Sequence, residues 1–250
     1  MSARSGALRQ AWRLVGLFVI AALSLQVYFA LRIALMAVVD PQSTSFQRSE
    51  AWRMAVTQHR IAWSQSWVDY PAIAHTLKRA VVASEDAGFS DHGGVDWDSI
   101  EKARERNQKA QARAERQVKQ KPGRTAEPRL RGGSTISQQL SKNLFLSGER
   151  TIARKAQELL ITLMMEGLLS KQRILEIYLN NVEWGEGLFG AQAAARHYFR
   201  VDAAKLGQEQ AARLAVMLPA PKRFEKQPSS AYVLGRAAVI VARMPAVEVP

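Results

Sequence analysis

The chain contains no cysteine. Disulfides, thiolate metal sites and a cysteine nucleophile are therefore excluded. Acidic residues are scarce beside basic ones, 22 Asp and Glu against 35 Lys and Arg, for a formal net charge of +13. Strand signals are few and no internal repeat is present, so the fold class reads as mainly α. A chain of 250 residues with 47% hydrophobic content can bury a substantial core, and suits one globular domain with appendages.

The most informative absence is charge between Leu14 and Leu31. This 18-residue run, "LVGLFVIAALSLQVYFAL", is interrupted only by Ser24 and Gln26. It is near the minimum for crossing a bilayer as a helix, and too long for a typical signal-peptide core. Arg4, Arg9 and Arg13 precede it without an acidic residue, which puts the N-terminus in the cytoplasm. Arg32 can snorkel towards the far interface. A cleaved signal peptide or a buried core helix are the alternatives. The reading preferred is a cytoplasmic segment 1–13, a transmembrane signal anchor over 14–39, and an extracytoplasmic domain over 40–250.

The positive charge is uneven. Residues 101–131 hold 11 Lys and Arg against 4 Glu. A nucleic-acid surface would need such a patch, but an extracytoplasmic location argues against that partner. A cationic segment on a tethered domain suits anionic lipid headgroups or a phosphate-bearing substrate.

Beyond the anchor, 41–70 is mixed and contains Trp52, Trp63 and Trp67. Pro71 sits where a first helical residue is favoured, and Ile73, Leu77, Ala80 and Val81 predict a helix ending near Ser84. Residues 101–121 can form a helix but carry almost no apolar stripe, predicting a mobile, solvent- or membrane-facing element. Residues 121–133 read as a flexible connector. Ser134 or Thr135 can cap a helix to about Phe145, Thr151 one from Ile152 to Leu169, and Ser170 a third. Gly185, Gly187 and Gly190 punctuate a loop, Asp202 caps a short helix, and further helices run to Pro219 and from Ser230 to Met244.

In the helix 152–169, Ala156, Leu159, Leu160 and Leu163 form an apolar face, while Arg154, Glu158 and Thr162 stand four apart on one row. Alone, that row reads as a surface salt-bridge row. Alone, Glu85-Asp86 reads as an exposed helix terminus, His92 as a hydrogen-bonding structural histidine, and "GGSTISQQ" as a turn and a helix cap.

Together the segments resemble one family. "EDAGFSDHGG", "GGSTISQQLSKNLF", "RTIARKAQE", "KQRILEIYLNNVEWGEGLFG" and "AAARHYF" follow the order and spacing of the motifs of the peptidoglycan glycosyltransferases, glycosyltransferase family 51. The resemblance spans roughly 70–225. The short remainder leaves no room for the transpeptidase domain of bifunctional penicillin-binding proteins, so the expectation is the monofunctional branch.

The resemblance implies a lysozyme-like fold with a mobile jaw near the membrane, here about 101–131, which looks longer and more basic than is common. It implies a glycosyltransferase that polymerises lipid II, an undecaprenyl-pyrophosphate-linked disaccharide-pentapeptide, into glycan strands with inversion. Glu85 matches the general base for the acceptor 4-hydroxyl. Val82 and Phe89 beside it are expected to raise its pKa. Glu158 matches a second essential carboxylate. Lys142, Arg150, Arg154 and Lys155 match basic positions, with Lys142 and Arg150 the foremost expected pyrophosphate contacts. Ser134, Gln138 and Gln139 match polar cleft residues. Asp86 and Glu158 are the expected ligands of a divalent cation, Mg²⁺ or Mn²⁺, shared with pyrophosphate. Phe89, His92, Glu176, Tyr178 and Asn180 are expected to support the cleft. The implied partners are lipid II, the growing strand, inner-membrane lipids and proteins of cell-wall synthesis and division, with no nucleic acid. A lytic hydrolase using two carboxylates and a non-catalytic membrane scaffold are the competing functions.

Overall fold

A computed structural model describes residues 2–120, 132–149 and 151–250. Arg150 and most of the 121–133 connector thus lie outside the described residues. The helices, in chain order, are α1 (Ser2–Leu35), α2 (Ser45–Gln58), α3 (His75–Glu85), α4 (Trp97–Gln120), α5 (Ile136–Phe145) and α6 (Ile152–Leu168). They continue with α7 (Lys171–Asn181), α8 (Ala191–Phe199), α9 (Gln208–Met217), α10 (Pro221–Phe224) and α11 (Ala231–Arg243). Strand content is confined to β1 (Ser64–Gln65), β2 (Glu183–Gly185) and β3 (Leu188–Phe189), in the order β1-β3-β2. β1 pairs parallel to β3, and β2 antiparallel to it.

Local chemistry sets the helix starts. Thr135 accepts from the backbone N–H of Gln138, whose side chain reciprocates on the Thr135 N–H, a capping box. Thr151 and Ser170 cap α6 and α7 through the N–H groups of Arg154 and Arg173. Pro71 sits second in a short 3-10 turn, Tyr70–Ala72, and α3 opens only at His75. The glycine-rich stretch closes the β2–β3 hairpin: Gly187 has φ +68, and a Cβ there would meet the Ala62 carbonyl oxygen at 1.9 Å. Only glycine fits.

α3 packs on α9, α9 on α11, and α5 on α6. Ile73, Leu77, Ala80, Val81 and Val82 of the α3 region are buried with Leu214, Ala215 and Ile240 in one core.

One expectation reverses. On α6 the buried residues are Glu158, Ile161, Thr162 and Met165, while Ala156, Leu160 and Leu163 are exposed. The polar row faces the domain and the apolar face turns outward. Spacing identifies two faces of a helix but not which one meets protein.

α1 contains an apolar stretch, Arg9–Leu35, long enough to cross a membrane and barely buried by the rest of the molecule. Its C-terminal end joins the core through Phe29, Ile33 and Met36.

Candidate active site

The end of α3 separates two adjacent carboxylates. Glu85, its last residue, is half-buried. One oxygen accepts from Gln139 Nε2 at 3.1 Å and the other from Ser84 Oγ at 3.4 Å. Burial raises the Glu85 pKa; the two donors oppose this and the neighbouring Asp86 adds to it. Position at the negative end of a helix pushes the same way. The arrangement yields a carboxylate with increased proton affinity, suited to general-base work.

Gln139 is itself oriented. Its Oε1 accepts from the Tyr178 hydroxyl at 3.0 Å, so its amide nitrogen must point at Glu85. Tyr178 is buried, and burial together with Glu85 and Asp86 holds its pKa well above the ordinary value. It therefore stays a neutral donor. Tyr178 to Gln139 to Glu85 is a directed chain from α7 through α5 to α3.

Asp86 has a different task. Its Oδ2 accepts from the Ile136 backbone N–H at 3.0 Å, at the start of α5, and its Oδ1 pairs with His92 Nε2 at 2.9 Å. The Gly94 N–H donates to His92 Nδ1 at 3.1 Å. The hydrogen bond to Asp86 raises the His92 pKa, against burial, yet the Gly94 N–H requires an unprotonated Nδ1. That geometry defines a neutral ring donating from Nε2. Phe89 is fully buried against His92, and Lys171 Nζ lies 4.6 Å from its ring. Lys171 also donates to the His92 carbonyl at 2.6 Å and pairs with Glu166, which accepts from Ser137 Oγ. The loop that follows the two acids is thereby fastened to α5, α6 and α7.

The cations come from α5 and α6. Arg154 Nη1 lies 2.7 Å from Glu158 Oε2, and Lys155 Nζ bonds Glu158 Oε1. Glu158 is 2% exposed, so its charge is compensated by two cations. Lys142 is one helical turn beyond Gln139 on α5, and is exposed with no salt bridge among the described residues. Partial desolvation of the ammonium lowers its pKa; Glu158 opposes this, and Arg154 and Lys155 add to it. A cavity of about 450 Å³ opens between α4, the start of α5 and Lys155. Ser134 and Gln138 line it with Arg104 and Gln108. The Ser134 carbonyl is 3.5 Å from Gln139 Nε2, the group bound to Glu85. Of the basic residues on α6, Lys155 lines this cavity, and Glu85 is linked to its rim through Gln139 and Ser134.

The family model described as Transglycosylase matches residues 53–245. The chain belongs to the transglycosylase family. It is similar to the biosynthetic peptidoglycan transglycosylase of Burkholderia pseudomallei (strain K96243), 49% identical over 235 residues, 94% of this chain and 86% of that one. The protein of that name from Paraburkholderia xenovorans (strain LB400) is 46% identical over 247 residues, 99% and 96% of the two chains. That of Bordetella avium (strain 197N) is 50% identical over 211 residues, 84% and 83%. This transglycosylase is therefore a glycosyltransferase enzyme with a mainly α, lysozyme-like domain.

A divalent cation shared by Asp86 and Glu158 would need free oxygens on both carboxylates. Both oxygens of Asp86 are engaged by His92 and Ile136, and both oxygens of Glu158 by Arg154 and Lys155. No cluster of three or more His, Cys, Asp or Glu suited to a metal occurs among the described residues. The two carboxylates as placed do not fit a shared cation.

Of the supporting residues, Glu176 accepts from the Tyr70 N–H and pairs with Arg173, and Asn180 bonds Val68 through both its amide groups. Both secure the strand of chain that enters α3. Lys171, Glu166 and Ser137 were not legible in sequence, because they meet across three helices without a shared spacing. The cavity-lining residues of α4 were hidden in a segment that reads as uniformly polar.

Proposed function

We propose that the transglycosylase polymerises lipid II into glycan strands for the cell wall, transferring from an undecaprenyl-pyrophosphate-linked donor to the 4-hydroxyl of the acceptor sugar with inversion. The observation that carries this reading is one helix, α5, joining a base to a cation: Gln139 holds Glu85, and Lys142 stands a turn away without a salt bridge among the described residues. Glu85 takes the acceptor proton on one face of the donor ring. Lys142, with Arg154 and Lys155, stabilises the negative charge that gathers on the departing pyrophosphate. A hydrolase has no phosphate leaving group to stabilise, so the cations favour transfer. Arg150, outside the described residues, belongs to this group by its motif.

The N-terminal apolar helix suggests a membrane anchor. Its three preceding arginines support a cytoplasmic N-terminus and a periplasmic domain at the inner membrane. Substrate lipid, membrane lipid and the proteins of cell-wall synthesis and division are the partners this placement implies.

The test is polymerisation of labelled lipid II in detergent by Glu85→Gln. The expected result is loss of glycan product with the fold intact; sustained polymerisation would remove Glu85 from the mechanism. Incubation with purified sacculi completes it, since release of muropeptides would show a lytic enzyme instead.

A further inference from the structure

Gln26 is the amide that interrupts the apolar run of α1, and it has a specific partner. Its Nε2 donates to Gln157 Oε1 at 3.0 Å, and Gln157 Nε2 donates to Gln26 Oε1 at 3.0 Å. The pair joins α1 to α6 across 131 residues of chain. From this point α1 presents a stripe to the domain: Gln26 is half-buried, and Phe29, Ile33 and Met36 are 8%, 0% and 4% exposed. Phe29 packs edge-on against Phe145 at 5.5 Å, and Arg173 holds both the Met36 carbonyl and Asp40. The upper third of the anchor is therefore part of the domain.

A hydrocarbon core about 30 Å thick takes about 20 helical residues. A span beginning at Arg9 ends near Phe29, and one beginning at Arg13 ends near Ile33. Both leave Gln26 inside the acyl region of the leaflet on the domain's side. Its partner on α6 must reach the same depth. α6 has the surface for it: Ile152, Leu160 and Leu163 are 91%, 45% and 50% exposed, while Glu158 and Thr162 are buried towards the domain. An amide without a partner in hydrocarbon is costly, and a polar side chain within a membrane span marks a function in search of that partner.

We propose that Gln26 and Gln157 form a polar clasp inside the leaflet, which sinks α6 to a set depth so that lipid acyl chains cover Ile152, Leu160 and Leu163. The inference rests on the membrane-anchor reading. Gln157 immediately precedes Glu158 and follows Arg154 and Lys155, so the clasp is a positioning device for the cation–carboxylate row. It holds that row at the level where a lipid-linked phosphate lies.

The absence of cysteine makes the test clean. Full-length protein is reconstituted in phospholipid vesicles, and two measurements do not depend on activity. Gln26→Cys with Gln157→Cys is expected to form an intramolecular disulfide on oxidation. A bimane probe on Leu163→Cys is expected to be quenched by lipids brominated in their acyl chains, and one on the exposed helix residue Leu234→Cys is not. The third measurement is KM and kcat on a lipid-linked donor for Gln26→Leu, Gln157→Leu and the double variant. Each single change is expected to raise KM by ~threefold or more with kcat nearly kept, and the double to be no worse than either single. An absent disulfide together with an unquenched Leu163 probe would overturn the clasp and the immersion. Additive effects of the two leucine substitutions would overturn the positioning role. Loss of polymerase chemistry in the unmodified protein would instead sink the proposed function, leaving the two activity-independent results to judge the clasp.

Discussion

Glu85 and Asp86 are consecutive, yet they serve different helices. Asp86 faces the first N–H of α5 and a neutral His92, and pins two segments together. Glu85 stays at the end of α3 with one directed donor, Gln139, and a raised pKa caused first by burial. A base must be ionised to act, so with Glu85 as the proposed base activity is expected to fall as pH drops through its pKa, with the acid limb above the ordinary 4.5. Gln139→Leu removes a donor that favours the carboxylate, so the acid limb of kcat/KM is expected to move to still higher pH, measured as a pH–rate profile. Gly94 is equally constrained. Its φ is +92, and a Cβ would sit 2.7 Å from Glu166 Cγ. Gly94→Ala is expected to cost about 1–3 kcal/mol in denaturant unfolding, because backbone strain and a clash coincide. The acidic pair itself was legible in sequence. The division of labour between its members was not, because it depends on α5 arriving from 50 residues away.

At the scale of elements, the helix caps followed from local chemistry, whereas the burial of faces did not. Thr135, Thr151 and Ser170 cap the helices that their spacing predicted. α6 nevertheless buries its polar row. A second element-scale cluster joins α2, β2 and α10. Glu183 is buried, 3.5 Å from Lys222, with Glu50 and Glu225 near. Its pKa is pushed up to about 7, chiefly by burial. The folded state thus binds the Glu183 proton more tightly than the unfolded state does, so this group's contribution to stability declines as pH rises from about 4.5 to about 7 and is flat above. Glu183→Gln is expected to remove that decline and to stabilise the protein at pH 8 by about 1–3 kcal/mol. Urea unfolding at pH 5 and pH 8 checks it; a variant no more stable than the parent at pH 8 would refute the assignment.

For the whole molecule, the cavity is assembled from segments that no local pattern connects. α4 supplies one wall, the start of α5 another, and Lys155 of α6 closes it. Lys142→Ala should raise KM for the lipid-linked donor by about tenfold or more, since a charge-assisted contact to phosphate is lost. The same change should weaken inhibition by a phosphoglycolipid donor mimic such as moenomycin, measured by titration in the polymerisation assay. An unaltered KM and unaltered inhibition would place the phosphate elsewhere.

By itself the sequence determined the helical class, the apolar N-terminal helix, the helix caps and the motifs that mark the family, because each is written in composition or short spacing. Tertiary structure alone decided which face of α6 is buried, that Gln139 is aimed by Tyr178, that the oxygens of Asp86 and Glu158 are already engaged, and that Gln26 meets Gln157. Those are contacts between distant segments, and hydrogen-bond direction and burial are properties of the packed arrangement rather than of any stretch of chain.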